Sequence, residues 1–269
     1  MELLKSIIRD LIGKLGYEVV RKGSVVDIKR RVEAASELEA VYRQFVFPGL
    51  PESTSESGTR RYELLAQLEG TQLGEAFYLL DALHRSLSLD GAVCEFGVAQ
   101  GATSALIANE IRTSGKSLWL FDSFKGLPRP SAKDVLINDI FGLGSIEKYA
   151  GTMAHGQEEV LARLKVIDFP LNSVQLVDGF IEDTIRYPGL PPVICFAYVD
   201  FDFYEPIKLA LEFLHSRLPS GAHVLVDDYG WFSSGAQAAV DEFVAAHASN
   251  YTCSMPLHFA GRFAVLRKL

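Results

Sequence analysis

The chain has 269 residues, which is enough for one or two domains with a sizeable buried core. Hydrophobic residues make up 48% and charged residues 22%, and this composition excludes a disordered or fibrous chain. The 26 Lys and Arg against 34 Asp and Glu give a net charge of −8. That balance argues against a non-specific nucleic-acid binder, which needs a basic face, and is compatible with a neutral or cationic small ligand.

The N-terminal part reads differently from the rest of the chain. Residues 3–16 carry apolar residues at helical spacing and predict an amphipathic helix, packed on the domain or on a second subunit. An interfacial membrane helix is the weaker alternative, because the segment holds few cations. Residues 51–60 are polar and without periodicity, and indicate a linker or mobile flap. We therefore divide the chain into an N-terminal helical and linker extension, 1–60, and a main domain, 61–269.

From residue 61 onward, apolar runs alternate with helical patterns. A helix is predicted over 61–88, with a break near Gly70–Gly74. The predicted strands are 91–97, 117–123, 174–179, 193–200 and 223–228, and the helices are 101–113, 157–165, 204–217 and 235–248. Near-continuous apolar strands between helices are typical of a parallel sheet covered on both faces. The last two runs, joined at Ala260-Gly261, predict an antiparallel hairpin that closes the sheet.

Three cysteines and the chain's N-terminus bear on its compartment. Cys94, Cys195 and Cys253 lie in apolar stretches, which indicates buried free thiols in a reducing environment. The spacings of common zinc motifs are absent, as is a signal-peptide core. There is also no apolar run of about 18 residues that would span a membrane. We therefore expect a cytoplasmic enzyme or binding protein without a transmembrane segment.

Acidic residues stand at the ends of all five predicted parallel strands. In open α/β sheets the ligand binds beyond the carboxyl ends of the strands, so these positions are the first candidates for a site. Random placement would rarely give an acidic residue at each strand end. The acidic residues concerned are Glu95, Asp122, Asp178, Asp200, Asp227 and Asp228.

The turn after the first strand predicts a nucleoside site. Gly97 and Gly101 flank the turn, and Asp122 follows 21 residues after Gly101, where an acidic residue accepts hydrogen bonds from the two ribose hydroxyls. The central glycine of the dinucleotide pattern is replaced by Ala99, and Glu95 would repel a pyrophosphate. A sulfonium and an ammonium group suit this environment better, which favours S-adenosylmethionine over NAD. The glycine turn alone is explained equally well by strand-to-helix packing.

The third strand end would lie beside the adenine ring of such a ligand. Asp178 and Gly179 occupy that position in the sequence. Asp183, a few residues on, is at least as well explained as a cap of the following helix.

Four aspartates at the ends of two neighbouring strands predict a metal site. Asp200, Asp227 and Asp228 would converge there, with Asp202 two residues further on. Unpaired carboxylates repel one another, and a hard cation such as Mg²⁺ or Mn²⁺ relieves that repulsion. Helix capping and solvated loop ends are the alternative. A cation that holds two adjacent oxygens would make an acceptor hydroxyl more acidic, and Asp202 is suitably placed to take its proton.

Several segments together resemble the macrocin-type sugar O-methyltransferases, which methylate deoxysugar hydroxyls of macrolides and aminocoumarins. These segments are EFGVAQGATS, LFDSFKGLP, the D-x-D-x-Y-E run that starts at Asp200, and VDDYGWFSSGAQAAVDEF, and the resemblance covers about 61–269. It implies a class I S-adenosylmethionine-dependent fold, a mainly parallel seven-stranded sheet with an antiparallel C-terminal strand, and Mg²⁺ dependence. It also implies homodimers or higher homo-oligomers, with N-terminal segments over the neighbouring site.

The resemblance also assigns roles to residues. It implies metal ligands at Asp200, Asp227 and Asp228, and Asp202 as general base. The implied cofactor contacts, together with the turn glycine Gly101, are Glu95, Gly97, Ser104, Asp122, Ser123, Asp178, Gly179 and Phe180. Phe201 and Gln237 depart from the family pattern and leave the identity of the acceptor open.

The connection between the second and third strands, about 125–160, is too long for a simple link and is a candidate lid. Tyr149 and His155 within it, and Trp231 after the aspartate pair, are candidate substrate contacts. Solvent exposure of His155 and core packing of Trp231 are the plain alternatives.

The sequence therefore predicts a Mg²⁺-assisted O-methyltransferase that acts on a sugar hydroxyl of a glycoside natural product or a glycan. A Mg²⁺-dependent catechol-type methyltransferase remains open, since a catechol also offers two adjacent oxygens. A Rossmann-type oxidoreductase and a catalytically silent binding protein are more distant alternatives.

Overall fold

A seven-stranded sheet forms the centre of the computed structural model, which describes residues 22–52, 55–257 and 259–269. The strand order is β3-β2-β1-β4-β5-β7-β6. Strands β1 to β5 pair in parallel, and β7 pairs antiparallel with both β5 and β6. The predicted parallel sheet and its closing hairpin are thus confirmed. The strands are β1 (Ala92–Phe96), β2 (Leu118–Asp122), β3 (Val174–Asp178), β4 (Ile194–Val199), β5 (His223–Val226), β6 (Tyr251–Ser254) and β7 (Ala264–Lys268).

Helices cover both faces of the sheet, and those predicted for the main domain are present within a few residues of the expected bounds. The predicted helix over 61–88 is broken slightly earlier than expected, after Ala66. The predicted helix over 3–16 lies outside the described residues. The helices are α1 (Lys22–Phe45), α2 (Ser55–Ala66), α3 (Leu73–Ser86), α4 (Ala102–Ile111), α5 (Gln157–Val166), α6 (Ile181–Thr184), α7 (Tyr204–His215) and α8 (Ser234–Ala246).

The core has two layers because successive side chains of a strand point to opposite faces. In β1, Val93 joins the layer under α3, α4 and α5, whereas Cys94 and Phe96 join the layer under α7 and α8. All three side chains are fully buried. Because β1 to β5 pair in parallel, their carboxyl ends lie at the same edge of the sheet, and the acidic residues stand at that edge.

The interpretation of residues 51–60 as a loop is wrong from Ser55 onward, where α2 begins. The segment lacks an apolar stripe, but the helix extends into it from the packed part that contains Leu65 and Ala66. Once a helix is nucleated, each further residue adds a backbone hydrogen bond at little cost, so polar residues are readily included. Helix α2 therefore runs across the division proposed at residue 60.

A buried ion-pair network ties the N-terminal helices to the rest of the fold. Arg61 contacts Glu39 of α1 at 2.9 Å and Glu110 of α4 through its Nε at 2.9 Å. His84 of α3 lies 2.8 Å from the same Glu110 carboxylate. Burial alone would raise the pKa of Glu110, but hydrogen bonds from His84 and Arg61 outweigh burial and lower the pKa to about 2. Losing one partner would leave a buried charge unpaired, so the network fixes how these helices pack.

Two further features of the described residues concern membrane spans and thiols. Within the described residues, no helix is long and apolar enough to cross a membrane. Cys94 and Cys195 are buried, Cys253 is half-buried, and all three are free thiols.

His223 predicts a loss of stability on mild acidification. Burial is the main cause that lowers its pKa, to about 4, and Arg267 and Arg85 lower it further. In the unfolded chain the pKa is about 6.5, so the unfolded state binds the proton first as the pH falls. We expect the free energy of unfolding to fall by about 2 kcal/mol between about pH 6.5 and pH 4 on this account.

The measurement is urea unfolding across that pH range, for the native chain and for His223→Asn. The imidazole Nδ1 lies 2.9 Å from the Ser86 hydroxyl, and an Asn amide can keep this contact without titrating. The variant should lose clearly less stability on acidification than the native chain. Equal losses in both proteins would show that His223 is not the cause.

Candidate active site

A cavity of about 720 Å³ opens at the carboxyl edge of the parallel strands. Its wall is formed by the segments that follow β1, β2, β3, β4 and β5, by the connection between α2 and α3, and by parts of the long connection before α5. The structure places eleven of the predicted site residues in this wall. They are Gly97, Asp122, Ser123, His155, Gly179, Phe180, Asp200, Asp202, Asp227, Asp228 and Trp231.

The turn between β1 and α4 is shaped by Asp122 from the neighbouring strand. One carboxylate oxygen of Asp122 accepts hydrogen bonds from the backbone amides of Val98 at 2.7 Å and Ala99 at 3.1 Å. The other oxygen accepts from the amide of Phe124 at 2.7 Å. A carboxylate has about four acceptor positions, so Asp122 keeps capacity for a ligand in the cavity. The residue predicted to bind ribose therefore also holds the glycine turn in place.

Left-handed backbone conformations allow this turn to approach β4 closely. Gly97 has φ 86° and Gly101 has φ 80°, and Ala99 between them adopts φ 45°. A Cβ atom at Gly97 would overlap the carbonyl oxygen of Asp200. The backbone of the turn and the start of the aspartate segment are in direct contact, and only glycine fits at the contact point.

Five predicted residues lie outside the cavity wall. Ser104 donates a hydrogen bond to the buried Glu95 carboxylate beneath the turn. Burial raises the pKa of Glu95 to about 8, although hydrogen bonds from Ser104 and Thr103 oppose this rise. Gly101 precedes α4 and faces Val160.

The remaining two residues, Asp178 and Tyr149, form hydrogen bonds with other side chains outside the cavity. Asp178 accepts a hydrogen bond from the side-chain amide of Gln157 at 2.7 Å, and this contact is exposed to solvent. The ring of Tyr149 is buried, and its hydroxyl donates to Asp139 at 2.6 Å. The capping role considered for Asp183 is not seen, since Phe180 is the residue before α6 and no side chain caps that helix.

Three carboxylates converge at the chemical end of the cavity. One oxygen each from Asp200, Asp202 and Asp228 lies within 4.8 Å of the others. Asp202 and Asp228 adopt left-handed conformations, with φ 61° and φ 57°, which aspartate tolerates better than most residues. The Ser233 hydroxyl donates to the Asp202 carbonyl at 2.9 Å and helps to hold this turn.

Asp227, which precedes Asp228 in the chain, lies beside this cluster and is held in place by two hydrogen bonds. It accepts hydrogen bonds from the Tyr198 hydroxyl at 3.1 Å and from the amide of Asp228 at 2.7 Å. The Tyr198 hydroxyl also lies 2.9 Å from Glu75 of α3. Sequence reasoning missed Glu75, although a signal was present: it shares the i, i+4 stripe of α3 with the buried residues Leu79 and Leu83.

The electrostatics of the cluster favour a bound cation. Burial is the main cause that raises the pKa values of Asp200, Asp202 and Asp228, and repulsion from neighbouring carboxylates raises them further. Burial also raises the pKa of Asp227. Three convergent carboxylates offer the hard oxygen donors that Mg²⁺ or Mn²⁺ prefers, and no other ligand type is needed. The donor set therefore fits a divalent cation.

The predicted substrate residues differ in their access to the cavity. Trp231 lines the wall and is 39% exposed. His155 also lines the wall and lies 3.1 Å from the Glu159 carboxylate. Tyr149 instead packs its ring against Phe232, with 4.8 Å between centroids, and so supports the wall from behind.

Sequence comparisons identify related proteins. The family model Macrocin-O-methyltransferase (TylF) matches residues 80–255. An 8-demethyl-8-(2,3-dimethoxy-alpha-L-rhamnosyl)-tetracenomycin-C 4'-O-methyltransferase of Streptomyces olivaceus is 30% identical over 143 residues, 52% of this chain and 53% of that protein. A demethyldecarbamoylnovobiocin O-methyltransferase of Streptomyces niveus is 26% identical over 162 residues, 59% of this chain and 60% of that protein. The chain thus spans about half to three fifths of the length of these curated relatives.

Solved structures show the same fold. The O-methyltransferase NovP superposes with a TM-score of 0.62 and 18% identity, over 90% of this chain and 99% of that one. The calicheamicin methyltransferase CalS11 gives a TM-score of 0.55 and 24% identity, over 80% and 93%. The class I methyltransferase fold expected from the sequence is therefore confirmed.

The contact between the glycine turn and β4 predicts the effect of Gly97→Ala. The new methyl group must displace the Asp200 carbonyl and would also disfavour φ 86°. We expect the free energy of unfolding to fall by about 2–4 kcal/mol and the affinity for S-adenosylhomocysteine to fall sharply. Thermal unfolding and calorimetric titration measure the two effects.

Gly115→Ala is the matched control, since this glycine also has a positive φ of 72° but faces open space. It should lose about 1–2 kcal/mol from the left-handed backbone alone and retain its affinity for the ligand. Equal effects of the two substitutions would contradict the proposed role of the contact.

Proposed function

The chain belongs to the macrocin O-methyltransferase family, and we propose that it is an S-adenosylmethionine-dependent O-methyltransferase. The proposed acceptor is a sugar hydroxyl of a glycoside natural product or a glycan. The observation that carries this proposal is the meeting of the glycine turn and three convergent carboxylates in a single cavity. A methyl donor and a metal-held hydroxyl would meet there.

The nucleoside end of the cavity is assigned to the cofactor. Asp122 would accept hydrogen bonds from the ribose hydroxyls, and Gly97 would let the cofactor approach the backbone. Ser123, Gly179 and Phe180 complete this end of the wall. Glu95, Gly101, Ser104 and Asp178 would act indirectly, by shaping the segments that line the cavity.

The carboxylates are assigned to the metal and to proton transfer. We propose Asp200, Asp227 and Asp228 as ligands of Mg²⁺ or Mn²⁺, and Asp202 as the general base. When bound, the cofactor supplies the methyl group and the cation lowers the pKa of the acceptor hydroxyl. Asp202 would receive the hydroxyl proton as the oxygen becomes nucleophilic. Its distance to Asp200 and Asp228 supports a competing arrangement in which Asp202 is the third ligand.

The acceptor end of the cavity is assigned to Trp231 and His155, with Tyr149 as a support behind the wall. We also propose a homodimeric or higher oligomeric protein in the cytoplasm. The free cysteines support a reducing compartment. The lid role of residues 125–160 stays a prediction.

A catechol-type methyltransferase is the second candidate, because Phe141, Trp231 and Phe232 give the acceptor wall an aromatic character that suits a flat phenol. A panel of phenols and glycosides, read by mass spectrometry for a gain of about 14 Da, separates the two. Methylation of catechols alone would favour the second candidate.

Asp202→Asn tests the base. We expect kcat to fall by about 10²–10⁴-fold, because an amide cannot accept the proton. The affinity for S-adenosylhomocysteine should stay within about twofold, since the residue lies at the other end of the cavity. Asp183→Asn, an exposed change on α6, is the control and should turn over normally. Normal turnover by Asp202→Asn would refute the assignment.

The Mg²⁺-dependent rise in Tm of the same variant separates the two metal arrangements. Asp200→Asn should lose this rise in either case. Asp202→Asn should retain it if Asp202 is only the base, and lose it if Asp202 is a ligand.

Asp228→Asn tests the repulsion within the cluster. Removing one carboxylate should raise the free energy of unfolding of the metal-free protein by about 1 kcal/mol, and asparagine tolerates the left-handed backbone of this position. Urea unfolding with EDTA at about pH 8 measures this effect. The variant should also no longer gain stability from Mg²⁺. A less stable metal-free variant would argue that the carboxylates are not in conflict.

A further inference from the structure

Glu75 is a buried carboxyl group that does not line the cavity. The residue lies in the first turn of α3, and its side chain is 2% exposed. Among the described residues, no Lys, Arg or His pairs with it. Burying a carboxyl group without a cationic partner costs free energy, and an apolar side chain at the same place would avoid this cost. Packing alone therefore gives no reason for an acidic residue at this position.

The contacts of Glu75 lead to the carboxylates at the ends of β4 and β5. Its Oε1 lies 2.9 Å from the Tyr198 hydroxyl, and this hydroxyl lies 3.1 Å from Oδ2 of Asp227. Glu75 also forms a hydrogen bond with Asp227 directly. Tyr198 is the last residue but one of β4, and its side chain is fully buried. The three side chains therefore form one buried hydrogen-bonded unit beside the candidate metal site.

The backbone holds Glu75 and Tyr198 at fixed positions. Gly74, next to Glu75, packs so closely on the β6–β7 connection that a Cβ atom would lie 2.5 Å from the Ala260 Cα. Tyr198 lies in the centre of the sheet, where β4 pairs with both β1 and β5. Neither residue can shift without moving the surrounding fold. Their contacts therefore restrict the orientation of the Asp227 carboxylate.

Both oxygens of Asp227 are already hydrogen-bonded, yet the carboxylate keeps capacity for a cation. Oδ1 accepts from the amide of Asp228 at 2.7 Å, and Oδ2 contacts the Tyr198 hydroxyl. A carboxylate has about four acceptor positions, so two remain. Carboxylates that bind metal ions are commonly fixed by hydrogen bonds of this kind, and loss of such a bond weakens metal binding.

We propose that Tyr198 and Glu75 are positioning residues that hold Asp227 in the orientation in which it binds the divalent cation. This inference rests on the proposed function, in which Asp227 is a metal ligand, and it adds two residues that touch neither the cavity nor the acceptor. A carboxylate that is already oriented loses less conformational freedom when the ion binds, and its affinity for the ion is higher for that reason. The acidic residue at position 75 is thus explained by metal affinity rather than by packing.

Binding of Mn²⁺ to the metal-free chain measures this role without turnover, by the electron paramagnetic resonance signal of the free ion. Tyr198→Phe removes only the hydroxyl, and we expect the Kd for Mn²⁺ to rise about tenfold or more. Tyr42→Phe is the matched control, because Tyr42 is also fully buried and its hydroxyl has no hydrogen-bond partner among the described residues. The control should leave the Kd unchanged.

Two substitutions of Glu75 separate positioning from packing. Glu75→Met keeps the volume but no hydrogen bond, and should raise the Kd for Mn²⁺ about fivefold or more. It should not lower the Tm of the metal-free protein, because it removes a buried carboxyl group. Glu75→Gln can still form hydrogen bonds with Tyr198 and Asp227, and should keep the Kd within about threefold of the native value. A lower Tm of Glu75→Met with an unchanged Kd would assign Glu75 a purely structural role.

A double-mutant cycle tests whether the hydroxyl acts through Asp227. In the Asp227→Ala background, Tyr198→Phe should change the Kd for Mn²⁺ by less than about twofold, since the side chain that it positions is absent. At saturating Mg²⁺, Tyr198→Phe alone should regain kcat to within about twofold of the native chain, and only the Mg²⁺ concentration needed should rise.

The outcomes distinguish this inference from the proposed function. An unchanged Kd in Tyr198→Phe overturns the inference, and so does a tenfold loss that persists in the Asp227→Ala background. Neither result affects the proposed function as long as Asp200→Asn abolishes Mn²⁺ binding. Native Mn²⁺ affinity in both Asp200→Asn and Asp227→Ala refutes the metal site of the proposed function itself.

Discussion

Mutual repulsion among carboxylates at the ends of β4 and β5 is the constraint on which the site depends. Asp200, Asp202 and Asp228 are brought within a few ångströms although burial and their neighbours disfavour their charged forms. Such an arrangement persists only when other interactions in the surrounding structure offset its unfavourable free energy. Here the parallel pairing of β4 with β5 fixes the two strand ends next to each other, and two left-handed aspartates turn the side chains inward.

The neighbouring segments keep this arrangement in register with the cofactor end. Gly97 lies directly against the Asp200 backbone, and Asp122 ties the turn that contains Gly97 to β2. Behind the cluster, the Tyr198 hydroxyl links Asp227 to Glu75. A shift of the glycine turn would therefore also move the carboxylates, so the two ends of the cavity cannot adjust independently.

Much of this was accessible from the sequence, and the failures have physical causes. Apolar runs located the strands because buried parallel strands leave little room for polar residues, and the acidic strand ends then located the cavity. Periodicity describes only the local chain, so it missed the helix from Ser55, whose residues show no apolar stripe. It also could not tell that Glu95 and Tyr149 are enclosed. The helical stripe of α3 indicates that Glu75 is buried, but it cannot identify the partner Tyr198, which lies more than a hundred residues away in sequence.

The position of the long connection before α5 suggests how acceptor choice can vary while the chemistry stays fixed. Its residues 131–138 are hydrogen-bonded to the loop that carries Asp228 and Trp231, and the buried Asp134 accepts from the amide of Tyr204 at 2.8 Å. These anchors use backbone atoms and the side chains of Asp134 and Asn138. The outward side chains of Val135 and Ile137 take no part in them. Substitutions at those outward positions can therefore change the exposed apolar surface beside the cavity without disturbing the carboxylates.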